Sequence, residues 1–409
     1  MKAQRALTEN QRGAAVVAGI STSAPPAASW LALCACLLVP ALTRAQSLSD
    51  AAILGAPVEP AHIDEFRLRM TSFSQDGHGY QSVAGSLTGP GSERALILQP
   101  MALIGIRQSP RVHHEVVVPI DIVSAASVNA VDVVSHASGV NEAIGVEVTS
   151  RFQVSHDDQL VSRLVWHEEE PFGSGAFSLG YTRSLADDNA SLGISGQATF
   201  DRFDYLQPNG DRHGRRNRST LNGNLSFSQL LSPTAVFYAN YGLTWQRGML
   251  ETTYDSVPLA SGRGRAAEHF PRSRTRHALQ ARVAQHIPTS HSTLRAAYRY
   301  YWDTFELSAH TVEFELHQYL SPRWIARGSY RYYRQSGVDF FGIAFPTDIG
   351  PSVPRTADSD LAPFHAHELG LKLLWLASGK STLDVSFFHY VRDNDFRANI
   401  LSFGYGTGF

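Results

Sequence analysis

The sequence predicts an all-β fold, a transmembrane antiparallel β-barrel of about 16 strands with short periplasmic turns and long extracellular loops. Three observations carry this. Apolar and polar residues alternate with period two from about residue 142 to Phe409, the pattern of a strand with two unlike faces. Short turns alternate with long polar connections along the chain. No apolar run reaches the ~20 residues of a spanning helix, although barrel strands need apolar residues only at alternate positions.

Taken from the start, the one continuous apolar run is Trp30 to Leu42, preceded by Lys2, Arg5 and Arg12. Thr43 and Ala45 are small residues at the two positions a signal peptidase reads, so residues 1–45 are expected to be a secretory signal cleaved between Ala45 and Gln46. Cys34 and Cys36 both lie inside it, and the remaining chain has no cysteine. Disulfides, thiolate metal sites and cysteine nucleophiles are thereby excluded from the mature protein. The whole chain has a formal net charge of −2. Losing Lys2, Arg5, Arg12, Arg44 and Glu9 leaves 31 cations against 36 anions, which argues against nucleic acid as a partner.

Residues 46–61 read as a periplasmic N-terminal segment and 62–409 as the barrel. Three weaker strands are expected near 62–73, 94–107 and 112–123, and Ser124–Asn141 is ambiguous between a further strand and an inward fold. About thirteen strands follow, an even total that places both ends on one side. In the run from Leu221 to Phe227, Leu221, Gly223, Leu225 and Phe227 share one face while Asn222, Asn224 and Ser226 share the other. Turns are expected near 186–189, 231–233, 287–290, 321–322 and 377–379. The polar stretches 201–218, 247–273 and 335–363 read as long loops at the opposite end. Trp166, Trp245, Trp302, Trp324 and Trp375 fall near strand ends on the apolar face, as an aromatic girdle would. The last strand carries Leu401, Phe403, Tyr405 and Phe409 on one face, resembling a C-terminal signal for the barrel-insertion machinery. Outer-membrane lipid, that machinery and periplasmic chaperones are the expected partners, and the outer membrane of a Gram-negative bacterium the expected location.

The face opposite the apolar one carries a ladder of charge. Arg295, Arg299 and Asp303 share it on one strand, Glu313, Glu315 and His317 on the next, and Arg323, Arg327 and Arg331 on the third. Lys372 and Asp384 form a smaller pair on the following hairpin. Opposite charges on neighbouring strands attract, and in a lumen they avoid the ~2–4 kcal/mol cost of facing lipid. Alternating signs neutralise one another, so the ladder reads first as cross-bracing and second as a selectivity surface. His365 and His367 share a strand face at the loop end, but with 17 histidines in the chain such spacing is expected by chance. His113-His114 and 166–170 read as turn and loop polarity. No catalytic residue, metal ligand or cofactor is assigned: there is no G-x-S-x-G nucleophile motif and no CxxCH haem site.

Several segments carry a family resemblance. Ala297-Tyr-Arg-Tyr-Tyr-Trp-Asp303, Ser308-Ala-His-Thr311 and Tyr330-Arg-Tyr-Tyr-Arg-Gln-Ser336 before Asp339-Phe340-Phe341 resemble the bacterial family known as domain of unknown function 3570. So do Val123–Ser127 with Val131–Ser138, and Leu361–Leu371, where His365 departs from the smaller polar residue expected. The resemblance implies an outer-membrane β-barrel and brings no catalytic residues. It also implies periplasmic envelope partners, among them redox proteins. Three functions follow as expectations: first a channel or porin-like conduit, second a closed binding or scaffold barrel working with such partners, third a rim-active barrel hydrolase.

Overall fold

The computed structural model describes residues 60–77, 94–125, 140–169, 172–206, 212–251, 256–261, 264–377 and 379–409. The expected signal segment, the cleavage point Ala45/Gln46, nearly all of 46–61 and residues 126–139 of the ambiguous stretch lie outside the described residues. The strands are β1 (His62–Asp76), β2 (Ala95–Ser109), β3 (Val112–Ala125), β4 (Val140–Gln153), β5 (Asp158–Glu169), β6 (Phe172–Leu185), β7 (Ala190–Leu206), β8 (Arg212–Ser232) and β9 (Ala235–Gly248). They continue with β10 (Ser256–Pro258), β11 (Arg265–Ala267), β12 (Ser273–Ile287), β13 (Ser292–Asp303), β14 (Ser308–Ser321), β15 (Trp324–Gln335), β16 (Phe364–Leu376), β17 (Ser381–Arg392) and β18 (Arg397–Gly408).

All but β10 and β11 form one closed antiparallel barrel of 16 strands, in which β1 pairs with both β2 and β18. Closure removes the edges that would otherwise leave backbone N–H and C=O groups unpaired. The barrel strands run 12 to 21 residues, longer than the ~9–11 needed to cross a bilayer at a tilt. Among the described residues no helix is long and apolar enough to cross a membrane.

The alternation in the sequence resolves into two faces. Outward side chains are apolar and open: Leu294 is 45% exposed, Leu316 47% and Leu371 69%. Their strand neighbours Arg295, Glu315 and Lys372 point inward. Two glycines make the inner packing possible. A Cβ on Gly404 would lie 2.4 Å from Asp384 Oδ2, and one on Gly370 would lie 2.4 Å from Cε1 of the Phe388 ring, so neighbouring inward side chains occupy the space a larger residue would take.

One end carries tight turns, with Pro110–Arg111, Pro233–Thr234 and Pro322–Arg323 each joining two strands. The other end carries the long connections 249–272 and 336–363, but also the short ones 304–307 and 393–396, so the alternation of short and long is not strict. The stretch 201–218 is largely strand: β7 runs to Leu206 and β8 begins at Arg212. Its polar residues belong to a hairpin projecting beyond the barrel rim, where water on both sides removes the need for an apolar face. His113 and His114 sit in β3 and Trp166–Glu169 in β5, so these residues are strand and not the turn and loop expected of them.

The two long connections pack on each other over β13 to β15. Phe270, Phe305, Leu307, Val338 and Leu361 form a buried cluster there with Phe340 and Phe341 against it. Each fully buried ring or leucine stabilises this layer by about 1.5–3 kcal/mol. Arg355 ties it together, its guanidinium donating to the carbonyls of Ala267 (2.8 Å), Gly350 (2.9 Å) and Val353 (3.0 Å). Burial lowers its pKa from the ordinary guanidinium value.

Candidate functional site

Antiparallel register places the charged residues of β13, β14 and β15 side by side on the inner wall. Arg295 is directly opposite Glu315, and Glu313 opposite Arg331. Glu315 is the hub: Arg327 Nη2 donates to it at 2.6 Å, His317 Nε2 lies at 3.1 Å and Arg295 Nη1 at 3.4 Å. Arg331 Nε stands 3.3 Å from Glu313. On the next hairpin Lys372 Nζ is 2.7 Å from Asp384, and Arg69 of β1 approaches the same carboxylate at 3.5 Å. Most of these side chains remain partly open to the lumen, so each pair contributes modestly and the network as a whole braces the wall.

Three members of the expected ladder behave differently. Arg323 sits in the two-residue turn before β15, exposed, and forms no ion pair among the described residues. The register shift between Tyr319 and Ser321 closes the turn so that Trp324 is the first strand residue. Asp303 lies at the rim, where Arg274 of β12 pairs with it in full burial. It also accepts hydrogen bonds from Tyr301 Oη (2.5 Å) and from the backbone N–H of Phe305 (2.8 Å), which fixes the tight 304–307 connection. Arg299 faces Thr311 and carries no hydrogen bond or ion pair among the described residues.

Sequence reasoning missed the arginines that flank the ladder. Arg274, Arg276 and Arg282 alternate on β12 with the outward Thr275, His277 and Val283, a signal present in the sequence but diluted by the weakly apolar outer face. Arg392 at the end of β17 pairs with Asp360 of the 336–363 connection at 2.6 Å, donates from Nε to Tyr390 Oη at 2.9 Å and lies over the rings of Phe364 (4.4 Å) and Phe396 (4.5 Å). No spacing rule could have shown this pair, because it joins a strand to a distant loop.

These residues enclose a lumenal cavity of about 750 Å³ beneath the loop layer. Seven arginines line it against Glu313, Glu315, Asp360 and Glu368; with Asp303 counted as the partner of Arg274, the wall keeps an excess of two positive charges. Its lining also includes Asn240 and Gln280 on one side and Phe73, Phe388 and Ile400 on another.

The five tryptophans divide between the two rims. Trp166, Trp245 and Trp302 lie toward the loop end, and Trp324 and Trp375 toward the turn end, where their rings stack with centroids 5.7 Å apart. Leu401, Phe403, Tyr405 and Phe409 are 37–66% exposed on the outward face of β18. His365 and His367 also face outward and are held by other partners, His365 by Asp393 at 2.8 Å and His367 by Tyr330 at 2.9 Å. Among the described residues the one group of three candidate metal-binding side chains is His156, Asp157 and Asp188, all exposed at the turn end. There the Asp157 carboxylate raises the pKa of His156 through a 2.8 Å hydrogen bond.

No curated protein matches the chain in sequence. Among solved structures, the chain is similar to a bacterial polysaccharide outer membrane secretin at 11% identity, covering 84% of this chain and 98% of that one with a TM-score of 0.45. It is similar to the outer membrane protein OpdK of Pseudomonas aeruginosa at 10% identity, covering 87% and 100%, TM-score 0.42. For the siderophore receptor PirA of Acinetobacter baumannii the identity is 8% and the TM-score 0.44, with 82% of this chain matched to about half, 53%, of the receptor. A family model described as "Protein of unknown function (DUF3570)" matches residues 174–402. That stretch holds the paired tyrosine motifs and the charge ladder but not the segments at 123–138. With more than half its length matched, the chain belongs to this DUF3570 family.

Proposed function

We propose that the protein spans the outer membrane of a Gram-negative bacterium and serves as a channel-like conduit. The observation that carries this reading is the pairing of two opposite surfaces on one closed wall. Outside is a continuous band of exposed leucine, phenylalanine and tyrosine, inside a charged, arginine-rich cavity. A wall with lipid on one side and water on the other requires this division. The ladder holds the wall in shape, and the unneutralised arginines set the field within it, which favours anions.

Single-channel recording in a planar bilayer, with protein purified from membranes, tests the reading. Stable conductance with anion preference supports it, and Arg299→Glu should shift that preference toward cations. A barrel that keeps its heat-modifiable electrophoretic mobility but passes no current overturns it. A second reading, a closed scaffold barrel working with periplasmic envelope partners, draws on the packed layer of 249–272 and 336–363, whose Leu361 lines the cavity.

A further inference from the structure

We propose that the lumenal cavity is a binding site for a carboxylate carried on an apolar body, a ligand class that deepens the conduit reading and rests on it. Two walls of the cavity differ in kind, and neither is explained by bracing.

The first wall is a cluster of cations with no carboxylate of its own. Gln280 of β12 is opposite Arg299 of β13, and Arg282 is opposite Ala297. Arg282 and Arg299 are therefore diagonal neighbours on the inner face, within reach of one another's long side chains. Arg282 lies over the Tyr238 ring at 5.0 Å and has no carboxylate partner among the described residues. Arg299 has no polar partner among them at all. The nearest acid by register, Glu313, faces away to Arg331 on its other flank. Like charges at diagonal positions on neighbouring strands repel unless an anion lies between them, and Gln280, opposite Arg299, adds an amide donor at the same level. Two guanidinium forks and an amide suit a carboxylate, which accepts several hydrogen bonds at once.

The second wall is apolar where a lumen is ordinarily polar. Phe73, Ile97, Phe396, Ala398 and Ile400 form a buried cluster on the inner face, with Phe388 and Tyr390 half-buried over it. Phe73, Phe388 and Ile400 line the same cavity as Arg282 and Arg299. An inorganic anion would answer the arginines and leave the phenylalanine wall wet. A neutral hydrocarbon would do the reverse. A carboxylate on a ring-sized or branched apolar body answers both, and about 750 Å³ holds it with room for water.

The test is binding to the protein purified from membranes, read by saturation-transfer NMR with cyclohexanecarboxylate, acetate and cyclohexanol as probes. The expected result is that cyclohexanecarboxylate binds at least about tenfold more tightly than either of the others. Arg299→Gln should weaken it about tenfold, while Phe388→Ala should weaken it and leave acetate unchanged; heat-modifiable mobility checks that each variant is folded. Equal binding of acetate and cyclohexanecarboxylate, or competition by inorganic phosphate as strong as by cyclohexanecarboxylate, overturns the inference without recourse to any variant. Selective binding by a barrel that passes no current upholds the site and overturns the conduit. Current through a barrel that shows no such selectivity does the opposite.

Discussion

Tyr298 Oη and His310 Nδ1 share a hydrogen bond of 2.7 Å across the outer face of β13 and β14. The same diagonal pairing recurs between Tyr241 and His277 at 2.8 Å and between Tyr330 and His367 at 2.9 Å. Three times, a tyrosine is tied to a histidine on the following barrel strand, at the level where Trp302 stacks on His277 with centroids 4.9 Å apart. In the membrane setting proposed above, this row lies where amphipathic rings are most at home. Tyr298→Phe should destabilise the barrel by about 1 kcal/mol, the net value of one hydrogen bond. Adding His310→Leu to it should cost less than the two changes summed, since both remove one interaction. Urea unfolding in lipid vesicles measures the cycle.

Arg274 and Asp303 form a deeply buried ion pair of the wall, with side chains 6% and 0% exposed. Removing one partner strands the other charge. Asp303→Ala should cost about 3–5 kcal/mol, and it should also loosen the 304–307 connection, whose backbone N–H groups lose their acceptor. Proteolysis at that rim, compared with the wild type, separates the local effect from global unfolding.

Glu315 holds Arg295 and Arg327 as ion pairs and lies 3.1 Å from His317, so Glu315→Gln leaves the two guanidinium groups facing the lumen without their carboxylate. The expected outcome is a stronger anion preference, read as a shift in reversal potential under a salt gradient. A stability loss of about 1–3 kcal/mol should accompany it. An unchanged reversal potential would show that these groups do not face the conducting path.

Phe409 caps the seam of the barrel. Its backbone N–H donates to Asp64 O at 3.0 Å, while its ring stands 66% exposed on the outer face. Phe409→Ala keeps the backbone bond and removes the ring. If the ring is read during insertion, the amount of folded protein in the outer membrane should fall several-fold, with little change in the unfolding free energy of what does insert. A fall in both would assign the ring a packing role.

The strands from β13 onward are legible because an apolar outer face alternates with a charged, polar or small-residue inner one, as in Leu294-Arg295, Phe314-Glu315 and Phe403-Gly404. That same clarity located most of the ladder. Arg323 reads as part of the strand because alternation continues smoothly across a two-residue turn and gives no sign of where the strand begins. Asp303 reads as a ladder rung because it continues the inward alternation of Arg295 and Arg299, while the weakly apolar outer face of the neighbouring β12 hides its true partner, Arg274. The outer parts of β7 and β8 read as loop, since strands with water on both sides need no pattern. The Arg392–Asp360 pair and the apolar patch around Phe73 depend on which distant segments meet, and local spacing holds no record of that.

The meeting of β1 with β18 has a consequence for the time course of folding. Of all the strand pairs in the ring it joins those farthest apart in the chain, so it is the one closure that cannot precede synthesis of nearly everything between. The entropic cost of so large a loop grows only slowly with its length, each doubling adding about 0.6 kcal/mol. The obstacle is one of order and not of energy. Until β18 arrives, β1 presents an open row of hydrogen-bonding groups that any other strand could take, including one from a second molecule. A chain built this way must be kept waiting, and the sheet becomes safe from its neighbours only at its final step.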